Sequence, residues 1–355
     1  VTAWHKNGGS VFYGSELFIA PQERLAVFIT ATSTRYGSGR LAELILLRAL
    51  AERGRIAAMP ALLPDVPRPE RTATDADGAA IAGCYARYDR VMRMEVQSDR
   101  TLTLLLDAEG DWHPYAAGLK LRADGTWARD AAPHTSFRAI TADGRRYLVV
   151  RLVSGYGHCE EEVLYGQAMA PQAALSAAWQ ARLGQTWLAV NEHPFAIDPT
   201  LSVGLHEVAE LRGYVITDAG QIVDPAGDDG RARMCLKIPI IAGTDLNDVV
   251  VEPRAGDEWL RIGSVLYRPQ ATLRALMAGN HTVTIGPEGF GAWFRLPASG
   301  TVSIASSTAW KVLDAGLVLR ASGENVGSTP LPGEGDAAYL LVYGAPGAAV
   351  SVTLA

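Results

Sequence analysis

Two basic side chains stand directly ahead of a glycine pair in Trp4-His5-Lys6-Asn7-Gly8-Gly9-Ser10. Glycines next to a fixed cation suit a place where another backbone must come close without meeting a Cβ. Other strings carry ligand-type or nucleophilic residues. His158-Cys159-Glu160-Glu161-Glu162 collects five of them. On a strand, alternate residues share a face, so His158, Glu160 and Glu162 could hold a metal together, or simply form a solvated acidic strand. The second reading is the simpler one. Leu205-His206-Glu207-Val208-Ala209-Glu210 has glutamate where a zinc helix of the H-E-x-x-H type needs its second histidine. Tyr36-Gly37-Ser38-Gly39 is not a G-x-S-x-G elbow, and a turn after a strand explains it. Thr308-Ala309-Trp310-Lys311 is the nearest string to S-x-x-K, a motif that occurs nowhere in the chain.

The elements around these residues follow from local pattern. Val11-Phe12-Tyr13, Leu17-Phe18-Ile19 and Leu25 to Ile29 read as strands, with a turn at Ala20-Pro21-Gln22-Glu23-Arg24 between the last two. Arg40 to Arg53 reads as an amphipathic helix ended by Gly54. Its apolar stripe is expected to hold Leu41, Leu44, Ile45, Leu47 and Leu50, with Arg40, Glu43 and Glu52 outside it. Pro60, Pro64, Pro67 and Pro69 mark a linker. Short strands from Ile81 to Gly166 alternate with turns at Glu109-Gly110, Asp124-Gly125 and Asp143-Gly144, which predicts an up-and-down barrel or a small sandwich. A second all-β unit is expected from Leu183 to Arg268. The alternation at Thr301–Ile304, Leu317–Leu319, Tyr339–Tyr343 and Val350–Leu354 predicts a sandwich. Trp112, Trp127, Trp179, Trp187, Trp259, Trp293 and Trp310 are spread among these units as expected for core anchors.

In its order of a basic-x-Gly strand, a two-strand hairpin and a helix, the first stretch of the chain resembles the end of the catalytic domain of serine β-lactamase-like hydrolases. That family includes penicillin-binding proteins, D-aminopeptidases and related esterases. The resemblance covers residues 1–55. It implies acyl transfer from a serine, assisted by a strand carrying K-T-G or H-x-G. Lys6-Asn7-Gly8 matches that strand motif, His5 is the competing basic residue, and Gly9 would offer its N–H to the oxyanion. The family's S-x-x-K and Y-x-N or S-x-N motifs belong in front of this strand. The pattern is therefore that of an enzyme whose nucleophile lies on a preceding segment or an N-terminal catalytic polypeptide.

The resemblance and the patterning together predict a mainly β protein: the end of an α/β, β-lactamase-type sheet (strands plus C-terminal helix), then two small antiparallel barrels and a C-terminal β-sandwich. The expected units are 1–58, a linker at 59–76, a lipocalin-like barrel at 77–168, a second all-β domain at 172–272 and the sandwich at 280–355. The implied substrate is a small amide, D-amino-acid peptide or ester, with no cofactor and no metal. A periplasmic or secreted location is implied as well. In D-aminopeptidase-like relatives, appended barrels lie against the catalytic domain and restrict the substrate.

Composition excludes little else. The net charge of −6 provides no basic footprint for nucleic acid. The most apolar helical stretch, Leu41 to Ala51, is interrupted by Glu43 and Arg48 and is too short to span a bilayer. Cys84, Cys159 and Cys235 make no C-x-x-C pair, leaving either one Cys84–Cys159 bridge or buried free thiols. The rival to an enzyme is a non-catalytic secreted binding or accessory protein of β-modules, docking a partner by strand addition near Gly8 to Phe12.

Overall fold

The computed structural model describes residues 1–9, 13–32, 37–153, 157–196, 201–238, 247–254, 256–287, 289–297, 299–331 and 338–355. The chain is mainly β, as its alternation predicts. It is built from a three-stranded sheet, two closed eight-stranded barrels and two four-stranded sheets.

Strands β1 (Trp4–Gly9), β2 (Gly14–Ala20) and β3 (Leu25–Ala31) form the antiparallel sheet in that order. Of the first expected strand, Val11 and Phe12 lie outside the described residues, and Tyr13 precedes β2. At the Ala20-Pro21 turn, a single 3₁₀ turn starts at Pro21, whose ring presets φ, and ends at Arg24 in the left-handed region. Helix α1 (Ser38–Glu52) covers one face of the sheet. Ala20, Phe18, Leu25 and Val27 pack there against Leu46 and Leu50. The other face is bare: Trp4 and Phe28 are each 65% exposed.

The buried side of α1 differs from the expected stripe. Ala42, Glu43, Leu46, Leu47 and Leu50 are buried, while Leu41 and Ile45 face outward. With leucines on several sides, the helix could turn either way. Packing on the sheet sets Leu46 and Leu50 inward and leaves Glu43 beside Cys159.

The proline-rich segment is a strap and not a free linker. Leu63 N–H bonds the Gly157 carbonyl, Arg71 N–H bonds Leu121, and Ala123 N–H bonds Pro69. It ends in a helix that the expected linker and strand boundaries overran, α2 (Asp75–Ile81). Thr74 caps it by a reciprocal pair: Asp77 N–H donates to Thr74 Oγ1 at 3.2 Å, and Thr74 N–H donates to Asp77 Oδ2 at 2.9 Å. These bonds from Thr74, with Arg71 alongside, hold the Asp77 carboxyl down at about 2.

The first barrel runs β4 (Gly83–Arg87), β5 (Arg90–Val96), β6 (Leu102–Ala108), β7 (Asp111–Leu121), β8 (Trp127–Arg129), β9 (Ala132–Ala142), β10 (Arg145–Val153) and β11 (Glu160–Met169). Pairing of Gln167 with Ala86 closes β11 onto β4, so no edge is left open. Asp143 and Gly144 both have positive φ, as the two-residue turn between β9 and β10 requires. Inside, Tyr85, Met92, Met94, Leu104, Phe137 and Leu148 fill the barrel with an apolar core.

Helix α3 (Ala177–Arg182) leads into a second barrel of eight short strands between Thr186 and Pro269. The remaining strands, from Gly279 to Leu354, make two four-stranded sheets around Val302, Ile304, Trp310, Leu340 and Val352. Trp127, Trp179, Trp187, Trp293 and Trp310 are buried in these cores. Apolar seams join the modules. Cys84, Ala86 and Val91 of the first barrel meet Val208, Leu211 and Ile216 of the second. Trp293 of the last module donates its indole N–H to Ala189 of the second barrel at 2.7 Å.

Candidate active-site strand

Among the described residues, strand β1 is an edge strand paired with β2 alone, and all six of its own residues are exposed. Its register sets His5 opposite Phe18, Lys6 opposite Leu17 and Gly8 opposite Ser15. Strand alternation divides the expected site residues between two faces. Lys6 and Gly8 lie on the bare face with Trp4, and His5 and Asn7 lie on the face that carries Phe18.

His5 is committed to packing. Its ring stacks on Phe18 with centroids 4.4 Å apart. Its Nε2 is hydrogen-bonded to the Glu16 carboxylate, and its Nδ1 lies 3.7 Å from Glu161 of β11. Lys6 has no carboxylate partner among the described residues, and its ammonium donates to the Asn7 carbonyl. Ser15 Oγ donates to the Gly8 carbonyl at 3.2 Å. A Cβ at Gly8 would stand 2.9 Å from that hydroxyl, so the bare backbone there lets β2 approach closely. Gly9 pairs with Gly14, and Ser10 lies outside the described residues.

The segment at residues 157–162 is the junction between the sheet, the strap and the barrel. His158 Nδ1 is hydrogen-bonded to the Pro60 carbonyl at 3.0 Å. Burial, and then the neighbouring Glu43 carboxylate, push the Cys159 thiol up to about 11. Glu160 pairs with Arg68, and Arg68 also reaches Asp124 at 2.7 Å. Glu162 takes Arg138 at 2.7 Å and Arg151 at 3.1 Å. Arg138 and then Arg151 hold its carboxyl below the usual carboxylate range, against burial. Glu161, on the opposite face, meets His5. No group of three metal-ligand side chains comes together among the described residues, so the metal alternative for His158, Glu160 and Glu162 is replaced by an ionic clasp. The three cysteines are free thiols, which removes the Cys84–Cys159 bridge from consideration. Cys84 faces the seam between barrels, and Cys159 faces α1.

In the string from Leu205 to Glu210, His206 ends a strand and Ala209 opens a single 3₁₀ turn, so no H-E-x-x-H-type helix forms. His206 Nε2 is hydrogen-bonded to Asp107 of the first barrel at 2.8 Å. Glu207 accepts the Gly213 N–H. Glu210 takes Arg93 and the Trp112 indole N–H, the latter at 3.2 Å. His206 and Glu210 are residues of the seam, whereas Glu207 stays within its own barrel. The seam role is not legible in the sequence, because Asp107, Arg93 and Trp112 lie far away in the chain.

Among the described residues no helix is long and apolar enough to cross a membrane. Comparison with family models finds no match, and no curated protein matches the chain.

Proposed function

We propose that this chain is the C-terminal part of a serine hydrolase of the β-lactamase and penicillin-binding-protein type, working by acyl-enzyme chemistry in the periplasm or outside the cell. The observation that carries the reading is the position of Lys6-Asn7-Gly8 on a free sheet edge, with Lys6 unpaired by any carboxylate among the described residues. An extended substrate backbone can lie along such an edge. Lys6 would set positive charge beside the reacting carbonyl, Gly8 would leave space, and the Gly9 N–H would stabilise the oxyanion. The serine and its base would come from an N-terminal catalytic polypeptide, whose Oγ attacks a small amide, D-amino-acid peptide or ester. The amine or alcohol leaves, and water then frees the acid from the acyl-enzyme. His5 would act indirectly, by fixing β1 against Glu16 and the barrel.

The same free edge supports the second reading, a binding module that takes up a partner strand without chemistry.

Denaturing mass spectrometry of the protein from its native source separates the two. A longer chain or second polypeptide that contains S-x-x-K and is labelled by a fluorophosphonate supports the hydrolase. A single 37.8 kDa species that neither labels nor hydrolyses D-amino-acid amides or esters removes it and leaves the binding module.

A further inference from the structure

The first barrel carries an open cleft of about 330 Å³ at one mouth, between α2 and strands β8 to β10. It is not a calyx, since the barrel interior is filled by side chains. Ile81, Leu121 and Trp127 lie beneath it, nearly inaccessible, and Ala80, Ala139 and Ile140 give it its open apolar surface. Three guanidinium groups from separate elements, Arg71, Arg138 and Arg146, also line it, with Asp77 as the carboxylate.

The charges do not cancel. Arg71 is paired with Asp77 at 2.7 Å, and Arg138 is engaged from outside the cleft by Glu162. Arg146 has no carboxylate partner among the described residues. Its Nη1 donates to the Ala80 carbonyl at 3.3 Å and its Nη2 to Ala82 at 2.9 Å, while the guanidinium lies 5.6 Å over the Tyr85 ring. Gly83, with φ of +130°, leaves room for this placement: a Cβ there would stand 2.9 Å from Arg146 Nη2. Arg146 is thus pre-positioned, and a guanidinium has five N–H donors, of which two serve the carbonyls. A fixed, uncompensated cation above an apolar floor selects an anion that brings an apolar body with it.

We propose that this barrel mouth is a binding site for a small organic carboxylate, with the carboxylate on Arg146 and its apolar part over Ala139 and Ile140. This site stands apart from β1 and does not depend on the hydrolase reading.

The test is isothermal titration of the full chain with sodium phenylacetate, with phenylacetamide and inorganic phosphate in parallel. Phenylacetate should bind one saturable site with Kd of about 1 mM, a modest affinity suited to an open cleft. Phenylacetamide should bind about ten-fold more weakly or not at all, and Arg146→Gln should cost phenylacetate about ten-fold or more, as loss of a charged hydrogen bond does. Because Arg146 also secures the end of α2, Thr141→Trp serves as a second variant. Thr141 stands on the exposed rim of the cleft, opposite Arg146 in the β9–β10 register, so the indole fills the cleft and should abolish binding without removing the Arg146 guanidinium. No saturable heat from phenylacetate would overturn the proposal. So would binding that both variants leave intact, or phosphate binding as tightly as phenylacetate, since the apolar floor would then contribute nothing.

Discussion

His206 Nε2 and Asp107 Oδ2 stand 2.8 Å apart across the seam between the two barrels, and the Asp107 side chain is only 3% exposed. Asp107 also accepts the Gly110 N–H of its own turn at 3.0 Å, so the carboxylate anchors a hairpin and the second barrel together. His206→Leu leaves that buried carboxylate without its cross-seam partner, and a loss of about 2 kcal/mol is expected. His206→Leu combined with Asp107→Asn should lose less than the sum of the two single changes. Urea unfolding of the three variants completes the cycle, and simple additivity would show the pair to be uncoupled.

The capping box of α2 predicts a pH dependence. The Asp77 carboxyl is held at about 2 in the folded chain against 3.8 for the free group. A lowered carboxylate contributes stability above the unfolded value, and that contribution fades as pH falls from about 4 through 2. Asp77→Asn should flatten the part of the acid limb lying in that window. Thermal melts from pH 5 down to pH 2, read for both proteins, check it. Equal slopes would count against the cap.

In the last module the Trp310 indole lies flat against two glycines. A Cβ at Gly327 would stand 2.3 Å from Trp310 Cζ2, and one at Gly323 would stand 2.7 Å from it. Gly327→Ala therefore forces the buried indole to shift, with an expected cost of about 1–3 kcal/mol. A lowered melting temperature with altered tryptophan fluorescence is the expected result.

The thiols should be slow. Burial raises Cys84 to about 11 and Cys235 to about 12, and burial with Glu43 raises Cys159 to about 11. Maleimide labelling at pH 8 should be slow in the folded chain and rapid in denaturant, because the thiolate is the reactive form. Glu43→Gln removes a carboxylate beside Cys159 and should speed labelling there while leaving Cys84 unchanged.

Much of the architecture could be read from local pattern. The unbroken apolar, β-branched run from Tyr147 to Val150 and the Asp143-Gly144 pair define a strand and its hairpin turn without reference to the rest of the chain, and both are present. The short α2 was overlooked because its capping residue, Thr74, sits in a Thr/Asp/Ala run that resembles linker, and its Asp77 fills the role usually taken by Glu or Gln. The stripe of α1 was misjudged for a different reason. A leucine-rich helix supports more than one buried face, and only packing on the sheet and beside Cys159 selects the one containing Glu43.

The candidate strand shows the same division. That Lys6 and Gly8 share a face, with His5 on the other, is a consequence of the period of a strand, and the sequence by itself determined it. The strand types, the hairpin turns and the run of all-β modules were likewise local properties. Tertiary structure alone decided that His5 is held by Glu161, that Glu160 and Glu162 clasp arginines instead of a metal, and that His206 finds Asp107 at a separation of 99 residues. Local pattern is carried by neighbours in the chain. Ionic partnerships of this kind exist only after barrel closure and docking have set distant carboxylates and cations within a few ångströms of each other, and no short-range periodicity encodes that distance.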